Sequence, residues 1–404
     1  MQSFLKCAVF AMASCVASAA DLPVPVGGSD ANPGGKDQPG VQLTGRESLA
    51  AMADKVRPGF LLGSFASGLD FTQADNPPRA DFFRRNFNIM TVGVYMQSTQ
   101  RKPGEFDFTK IDALISFATE NNLKVHLHPL IGGAEYTPMW VNEGGFSREE
   151  LLKILRNRIT TLLTRHKGRI HYVDVVNESL TGAGQKPDGT FAWQEKAWKG
   201  GDHVWMKTLG MYQGKRHQFP LYLVEAFRIA REAGGPDVKL ILNEWSNETT
   251  KGMRGQSFLA LMQALREEGI PVDAAGLQLH CRLKDGIFCD WLGKPFDFDA
   301  FDAMLKLYVQ AGIDVHITEF DIHLPPEPTA QDFDLQGKAY ANTLQHALQS
   351  PAVKSFKTWG FTDRHSWKAD GQDGHPLLLD ENLQPKPAYL RQVEMLRQFN
   401  STTP

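Results

Sequence analysis

Short apolar runs alternate with amphipathic stretches eight times along this chain, and the alternation constrains the fold more than any other feature. Nearly apolar strands that alternate with helices are typical of a parallel sheet covered on both faces. Eight such units in about 350 residues predict an α/β fold, a single-domain (β/α)8 TIM barrel. The predicted strands are Phe60–Phe65, Ile89–Val94, Lys124–Ile131, Tyr172–Val176, Lys239–Leu242, Ala274–Leu279, Asp314–Thr318 and Ser355–Trp359.

The amphipathic stretches between these runs predict the covering helices. The clearest are Phe108–Asn121, Arg148–His166, Leu221–Glu232, Gly255–Glu268, Phe298–Gln310 and Asp334–Leu348. Residues 182–218 interrupt the alternation with many Gly, Lys and Trp, and we expect a long loop between the fourth strand and its helix. Active sites of such barrels lie at the C-terminal ends of the strands, so polar residues there are the candidates for function.

The first 20 residues have the pattern of a secretory signal peptide. Lys6 precedes an apolar run from Cys7 to about Val16, and small residues lead to a cleavage site near Ala20. The run is too short to span a bilayer as a helix. Two alternatives are a lipoprotein cut before Cys15 and a buried N-terminal helix.

Residues 21–45 are rich in Pro and Gly and poor in large apolar residues. That composition predicts a flexible arm, which leaves residues 46–400 as the barrel domain. We expect an exported protein, either periplasmic or secreted.

Composition narrows the classes of partner. The 404 residues are 42% hydrophobic and 22% charged with a net charge of −3, which excludes a disordered chain and a strongly basic nucleic-acid binder. We therefore expect a monomer with no nucleic-acid partner and no membrane span. Four of the eight Trp, at positions 140, 245, 359 and 367, lie near strand ends. Indole faces stack on sugar rings, although core packing is the alternative for any single Trp.

Two carboxylates follow apolar strands at matching ends of the predicted barrel. Glu178 ends the fourth strand segment, and Glu319 ends the seventh. A pair of carboxylates flanking the bond is what glycoside hydrolysis requires: one donates a proton to the leaving oxygen, and the other attacks the anomeric carbon or activates water. His280, after the sixth strand, could orient a carboxylate, and Asp321 could hold its imidazole. Two solvated loop glutamates are the alternative.

Two further patterns concern a possible metal site and a possible disulfide. His126 and His128 form an HxH on the third strand, which could bind a metal if His280 or Asp363 joined it. We favour an enzyme without metal or cofactor. Cys281 and Cys289 are the only cysteines left after removal of the signal peptide, and in an oxidising compartment they predict a small-loop disulfide. Two free thiols are the alternative.

The strand-end segments together resemble glycoside hydrolase family 10, the family of retaining endo-β-1,4-xylanases, from about Phe87 to Leu390. VDVVNE (173–178) resembles its acid/base motif and ITEFDI (317–322) its nucleophile motif. The other matching segments are GLQLH (276–280), TWGFTDRHSW (358–367) and PLLLDENLQPKPAY (376–389).

The resemblance implies a role for each matching residue. Glu178 would be the general acid/base and Glu319 the nucleophile of a double displacement with retention and no metal. Before reaction we expect Glu178 to be protonated and Glu319 ionised. Asn177 would contact the sugar 2-hydroxyl, and His280 would bind Glu319 with Asp321 behind it. The remaining implied substrate contacts are His128, Gln278, Trp359 and Trp367.

The sequence departs from the family where the glycone sugars would bind. Val92–Ser98 lacks the usual Glu-Asn pair with its following Lys and Trp, and Gly132 and Gly133 stand where a Trp-His pair is usual. Tyr95, Glu135 and Tyr136 could replace part of that cradle. Trp193, Trp198 and Trp205, in the 182–218 segment, could build a different wall.

We therefore expect a retaining hydrolase of xylan or of a decorated or xylan-like polysaccharide. One alternative is a retaining β-glycosidase acting on another glycan or on a small glycoside such as a plant saponin. Another is a non-hydrolytic carbohydrate-binding barrel, although the presence of both Glu178 and Glu319 argues against it.

Overall fold

A computed structural model describes residues 48–69, 76–196, 201–367 and 374–402 of the chain. The predicted signal peptide and the whole of the predicted arm precede these ranges and lie outside the described residues. Within them, no helix is long and apolar enough to cross a membrane.

Eight parallel strands form a closed barrel, as predicted. The ends of the sheet meet because the first strand pairs with the eighth from Leu61↔Ser355 to Ser64↔Thr358, and the sixth pairs with the seventh from Ala274↔Asp314 to Leu277↔Ile317. The strands are β1 (Leu61–Phe65), β2 (Ile89–Gly93), β3 (Lys124–His128), β4 (Tyr172–Asn177), β5 (Lys239–Glu244), β6 (Ala274–Leu277), β7 (Asp314–His323) and β8 (Val353–Thr358).

Helices connect the strands and cover the barrel. The α-helices are Leu49–Val56, Asn76–Asn86, Met96–Thr99, Thr109–Glu120, Met139–Asn142, Arg148–Arg165, Val204–Leu209, Leu221–Gly234, Met253–Glu267, Phe298–Gln310, Ala330–Gln349 and Pro387–Thr402, and 3-10 turns occupy Ala134–Tyr136 and Asp363–His365. Helix Arg148–Arg165 begins with a reciprocal capping box between Ser147 and Glu150, which satisfies backbone donors that have no partner within the helix. It buries Leu151, Leu155 and Ile159, one every four residues, so one helix face packs inward.

The inward face of the barrel is polar in its middle layers. His126, Asp174, His316, Ser355 and Lys357 are all essentially inaccessible to solvent. Barrel interiors are usually filled by bulky branched side chains. This barrel therefore holds an ionisable cluster beneath the strand ends.

Strand β7 continues to His323, beyond the predicted end at Thr318, because a second partner prolongs it. The hairpin strand His280–Lys284 pairs in parallel with its last residues, from His280↔Asp321 to Arg282↔His323. Glu319 therefore lies within a paired strand rather than in a loop.

The expected long loop after β4 is folded. It forms a hairpin of Leu180–Gln185 and Phe191–Trp193, the helix Val204–Leu209, and a second hairpin of Met211–Gln213 and Gln218–Pro220. Trp205 is fully buried and donates to Thr137 Oγ1 at 3.0 Å, and Trp193 is buried against Phe191 and Phe219. The expectation that these two Trp present a sugar-binding wall is wrong, because they pack the insertion itself. Trp198 lies outside the described residues.

The predicted disulfide is absent, and both thiols are free. Cys281 and Cys289 lie on the two strands of one hairpin, but Cys281 pairs with Asp290 and Arg282 pairs with Cys289. Neighbouring residues on a strand point to opposite faces, so the two cysteines point apart. Spacing in the sequence could not reveal this one-residue offset.

Candidate active site

Glu178 stands immediately after the last residue of β4. Its backbone adopts φ 60°, in the left-handed region that non-glycine residues seldom occupy, and its N–H donates to Asn243 O at 3.0 Å. Backbone conformations of this kind cost of order 1–3 kcal/mol and cluster at functional sites. The half-buried Glu178 carboxyl is thus placed by a fixed turn rather than by a free loop.

A second buried carboxylate holds the chain after Glu178. Glu244, the last residue of β5, accepts from the backbone N–H groups of Ser179 at 2.5 Å and Leu180 at 2.8 Å. Arg254 Nη2 pairs with its other oxygen at 2.7 Å. Burial raises the pKa of Glu244, and the guanidinium of Arg254 opposes that shift. Removing one partner from such a buried pair costs about 3–5 kcal/mol.

Glu319 is buried on β7 and is bound at both carboxylate oxygens. Its Oε1 accepts from Asn243 Nδ2 at 2.6 Å and lies 3.8 Å from His128 Nδ1. Its Oε2 lies 3.2 Å from His280 Nε2. These contacts fix the orientation of the carboxylate, as a nucleophile requires.

Amide side chains connect the two glutamates. Gln278 Nε2 donates to Glu178 Oε1 at 3.0 Å and to Asn177 Oδ1 at 3.2 Å. Asn243 Nδ2 donates to the same Asn177 oxygen at 2.8 Å as well as to Glu319. The chain Glu178–Gln278–Asn177–Asn243–Glu319 therefore joins residues from β4, β5, β7 and the end of β6.

His280 carries a positive charge beside Glu319. Burial lowers its pKa, but Asp321 and Glu319 outweigh burial and raise the pKa to about 10. Asp321 Oδ1 lies 2.8 Å from His280 Nδ1, and its Oδ2 accepts from Trp367 Nε1 at 2.9 Å. Although burial opposes it, His280 and His323 hold the pKa of the Asp321 carboxyl well below its usual range.

The HxH pair on β3 is engaged by a single carboxylate. His126 Nε2 lies 2.9 Å from Asp174 Oδ1, and His128 Nδ1 lies 2.8 Å from Asp174 Oδ2. Burial lowers the pKa of His126 to about 4, whereas Glu319 and Asp174 outweigh burial and raise the pKa of His128. Among the described residues, no group of three or more His, Cys, Asp or Glu side chains is arranged to hold a metal ion.

Indole rings border the carboxylates. Trp359 stacks on Phe65 with ring centroids 4.3 Å apart and meets His128 edge-on at 4.9 Å. Trp367 is 47% exposed and contacts His280 at 5.3 Å and Trp291 at 5.7 Å. An exposed indole beside paired carboxylates suits the apolar face of a sugar ring.

The β2–β3 side of the mouth is built from tyrosines. Tyr95 stacks on Tyr136 at 5.3 Å and contacts His128 at 5.6 Å. A Cβ at Gly132 would lie 2.7 Å from Tyr136 Cδ2, and one at Gly133 would lie 2.7 Å from a Glu135 oxygen. Glycine at position 132 leaves room for the Tyr136 ring, whereas the atoms close to Gly133 belong to the flexible end of the Glu135 side chain.

Both phenols lie in the electric field of the paired glutamates. Burial, followed by the charge of Glu319, raises the pKa of Tyr95, and burial, followed by the charge of Glu178, raises the pKa of Tyr136. Arg158, fully buried, braces this region by donating to Val94 O and, at 2.6 Å, to Thr99 Oγ1. The tyrosine hydroxyls therefore stay neutral donors close to the carboxylates.

The sequence-predicted site residues converge at this mouth, except for the cysteine pair. Sequence reasoning missed Asn243 as the ligand of Glu319 and Thr318, whose hydroxyl donates to Asn243 Oδ1 at 2.7 Å. It also missed Asp174 as the common partner of the two β3 histidines. The position of Asn243 at the end of β5 was the available signal, because polar strand ends meet at the mouth.

Comparison with known proteins agrees with this geometry. The sequence model of glycosyl hydrolase family 10 matches residues 51–395. Endo-1,4-beta-xylanase B of Thermotoga neapolitana is 28% identical over 340 residues, which cover 83% of this chain and 88% of that protein. Endo-1,4-beta-xylanase 2 of Aureobasidium pullulans is 28% identical over 343 residues, which cover 83% of this chain and 87% of that protein.

Solved structures give the same result. The crystal structure of native xylanase 10B from Thermotoga maritima has a TM-score of 0.74 and 30% identity, and the match covers 88% of this chain and 99% of that chain. Xylanase 10B from Thermotoga petrophila RKU-1, solved in complex with xylobiose, also has a TM-score of 0.74 and 30% identity. That match covers 87% of this chain and 98% of the xylanase chain.

Proposed function

The chain belongs to glycosyl hydrolase family 10, and from this premise we propose that it hydrolyses β-1,4-xylosidic bonds in xylan or a xylan-like polysaccharide with retention of configuration. Glu319 is the nucleophile and Glu178 the general acid/base. The observation that carries this proposal is the buried Glu319 carboxylate, bound by Asn243 and by a cationic His280, and linked through amides to Glu178.

The contacts suit a double displacement. Glu319, oriented by Asn243 and His280, attacks the anomeric carbon while Glu178 gives its proton to the leaving glycosidic oxygen. Glu178 then takes a proton from water as that water attacks the covalent glycosyl–Glu319 ester, and the sugar is released with its original configuration. Asn177, held by Asn243 and Gln278, is positioned to bind a hydroxyl of the reacting sugar.

The preferred substrate differs from plain linear xylan in this proposal. Tyr95 and Tyr136 supply ring faces and neutral hydroxyls on the β2–β3 side, where relatives typically carry charged and polar groups. Losing several hydrogen bonds, each worth about 1 kcal/mol, would weaken the binding of an ordinary chain. A decorated or otherwise unusual xylan-like chain, held more by stacking, fits this wall better.

Reducing-sugar release over a panel of linear and decorated xylans tests the activity. Glu319→Ala and Glu178→Ala should abolish or strongly reduce release, whereas Glu327→Gln, an exposed carboxylate in the loop after β7, serves as the matched control. Proton NMR of the first product should show the β-anomer. If plain linear xylan is cleaved as fast as by a typical xylanase of the family, the altered-substrate part is wrong.

The alternatives give different outcomes in the same panel. Activity confined to small aryl or plant glycosides would identify a β-glycosidase of another specificity. Binding to polysaccharides without any product would identify a non-hydrolytic barrel, because both glutamates would then be catalytically idle.

We also propose that the protein is exported, because residues 1–20 carry the pattern of a signal peptide. N-terminal sequencing of the protein recovered from its native host should begin near Asp21. An intact Met1 or a lipid-modified Cys15 would contradict that cleavage site.

A further inference from the structure

One arginine connects the segments that follow β4 and β5. Arg254 is the second residue of helix Met253–Glu267 and is only 7% exposed. Its Nη1 donates to Gly182 O and its Nη2 donates to Leu180 O, each at 3.2 Å. Both carbonyls belong to the first strand of the hairpin that follows Glu178. The guanidinium therefore holds that hairpin from the neighbouring helix.

The same guanidinium is bound to the segment after β5. Its Nε donates to Trp245 O at 2.7 Å, and its central carbon lies 4.0 Å from the centroid of the Trp245 ring. Its Nη2 also pairs with Glu244 Oε2 at 2.7 Å, where both side chains are almost inaccessible to solvent. Arginine suits this arrangement, because its planar fork supplies several donors in fixed directions and stacks on aromatic faces.

Glu244 passes this hold on to the residues directly after Glu178. Its Oε1 accepts from the Ser179 hydroxyl at 2.9 Å and from the backbone N–H groups of Ser179 and Leu180 at 2.5 and 2.8 Å. Burial raises the pKa of Glu244, and Arg254 opposes this rise, so the arginine helps to keep the acceptor ionised. The pair thus binds donors and acceptors of the same short stretch of backbone.

The turn at Glu178 depends on contacts of this kind. Its φ of 60° lies in the left-handed region, and such conformations persist only where surrounding contacts over-determine them. The bonds to Ser179 and Leu180 act on the residues that follow immediately. They therefore help to fix the direction in which the Glu178 side chain leaves the backbone.

We propose that Arg254 is a positioning residue that, together with Glu244, holds the general acid/base Glu178 at the leaving glycosidic oxygen. The proposal rests on the proposed function, because it takes Glu178 as the proton donor. It extends that function by assigning control of the proton-transfer geometry to a pair outside the chain of amides that joins the two glutamates.

The nucleophile is held by other contacts. Glu319 accepts from Asn243 and lies beside His280, and in the described part of the chain neither side chain is hydrogen-bonded to Arg254. Loss of Arg254 should therefore impair proton donation and leave the nucleophile in place. Proton donation matters greatly for a poor leaving group and little for a good one. A general loss of structure would not depend on the leaving group.

Arg254→Met is the direct test, and Arg231→Met is the matched control. Arg231 also combines a carboxylate partner, Asp273 at 2.5 Å, with two carbonyl partners, Gly235 at 2.7 Å and Val238 at 2.9 Å. Those partners lie where strands β5 and β6 begin, at the end of the barrel opposite the mouth. The control therefore removes a comparable arginine that has no part in the site.

The measurement is kcat/KM on phenyl, 4-nitrophenyl and 2,4-dinitrophenyl β-xylobiosides, whose aglycones are similar in size but differ in leaving ability. Arg254→Met should lose about 10–100-fold on the phenyl substrate and stay within about twofold of the wild type on the dinitrophenyl one. Arg231→Met should change all three alike. Equal losses or no loss in Arg254→Met, or the same leaving-group dependence in Arg231→Met, would overturn the proposal. An inactive wild type, or Glu178→Ala without leaving-group dependence, overturns the proposed function instead.

A double variant keeps the proposal testable if Arg254→Met does not fold. Glu244→Gln/Arg254→Met removes both buried charges, so no uncompensated charge remains in the interior. The introduced amide oxygen can still accept from Ser179 and Leu180, but the Leu180 and Gly182 carbonyls lose their donor. The same leaving-group dependence is expected, and equal losses on the three xylobiosides would again overturn the proposal.

Discussion

The two sides of the barrel mouth are built from different chemistry. On the side formed by β4 to β7, Glu178 and Glu319 are joined by amides and flanked by a charged imidazole. On the β2–β3 side, Tyr95 and Tyr136 stack over glycine backbone. The first side fixes protons and charges, whereas the second offers ring faces and neutral hydroxyls.

Under the proposed function, this difference places the two catalytic carboxylates and part of the sugar-binding surface on separate sides of the mouth. The carboxylate side is firmly held, since Glu319 contacts Asn243, His128 and His280, and Glu178 is held through its backbone N–H and by Gln278. The tyrosine side rests on the space above two glycines, so a few substitutions there could change the substrate without disturbing the chemistry.

Substitutions of Glu319 and Glu178, on the carboxylate side, should have the largest effect on activity. Glu319→Ala should lower kcat by about 10⁴-fold or more on every substrate, because the covalent step is lost. Glu178→Ala should cost about 10²–10⁴-fold on xylan but far less on a dinitrophenyl xyloside, whose leaving group needs no proton. Equal losses on both substrates would contradict the acid/base role of Glu178.

The His280 charge provides the next largest effect. In Asp321→Asn the main partner that raises the pKa of His280 to about 10 is lost, so that pKa should fall. His280 would then lose its proton at lower pH, and the midpoint of its ring signals in an NMR titration should move down by about 1–3 pH units. A midpoint that coincides with the wild type would contradict the role of Asp321 in holding the His280 charge.

On the tyrosine side we expect smaller changes, confined to substrate binding. Tyr136→Ala should raise KM about two- to tenfold, as expected from about 0.5–1.5 kcal/mol for a lost aromatic contact, and should change kcat little. Tyr212→Ala, in the insertion after β4, is the matched control. A fall in kcat equal to the rise in KM would place Tyr136 with the catalytic groups instead.

The smallest effect concerns the cysteines, which lie in the hairpin after β6. Because Cys281 and Cys289 point to opposite faces, a reducing agent should leave the melting temperature unchanged, and a thiol assay on the unfolded mature protein should find both thiols free. A melting temperature that falls on reduction would contradict this geometry.

Much of the barrel could be predicted because its strands are apolar and its helices amphipathic. All eight predicted strands overlap observed ones, and helix Phe298–Gln310 has the predicted bounds. The extension of β7 to His323 could not be predicted, since it depends on pairing with a hairpin remote in sequence. The folded insertion was missed because its short hairpins lack periodic patterns.

At the site, strand-end carboxylates and the histidine behind them were accessible to sequence reasoning. The polar interior was accessible only at His126, because Lys357 and Asp174 lie within runs that look like ordinary strands. Whether Trp193 and Trp205 line a sugar-binding surface or pack inside the insertion depends on their burial, which cannot be read from composition. The disulfide prediction was wrong because the register of the hairpin places Cys281 and Cys289 on opposite faces.

Trapping the covalent intermediate tests the central claim most directly. A 2,4-dinitrophenyl 2-deoxy-2-fluoro-β-xyloside or xylobioside should inactivate the enzyme stoichiometrically, and peptide mapping by mass spectrometry should place the sugar on Glu319. A label on another residue, or turnover with inverted product and no covalent adduct, would contradict Glu319 as the nucleophile of a retaining mechanism.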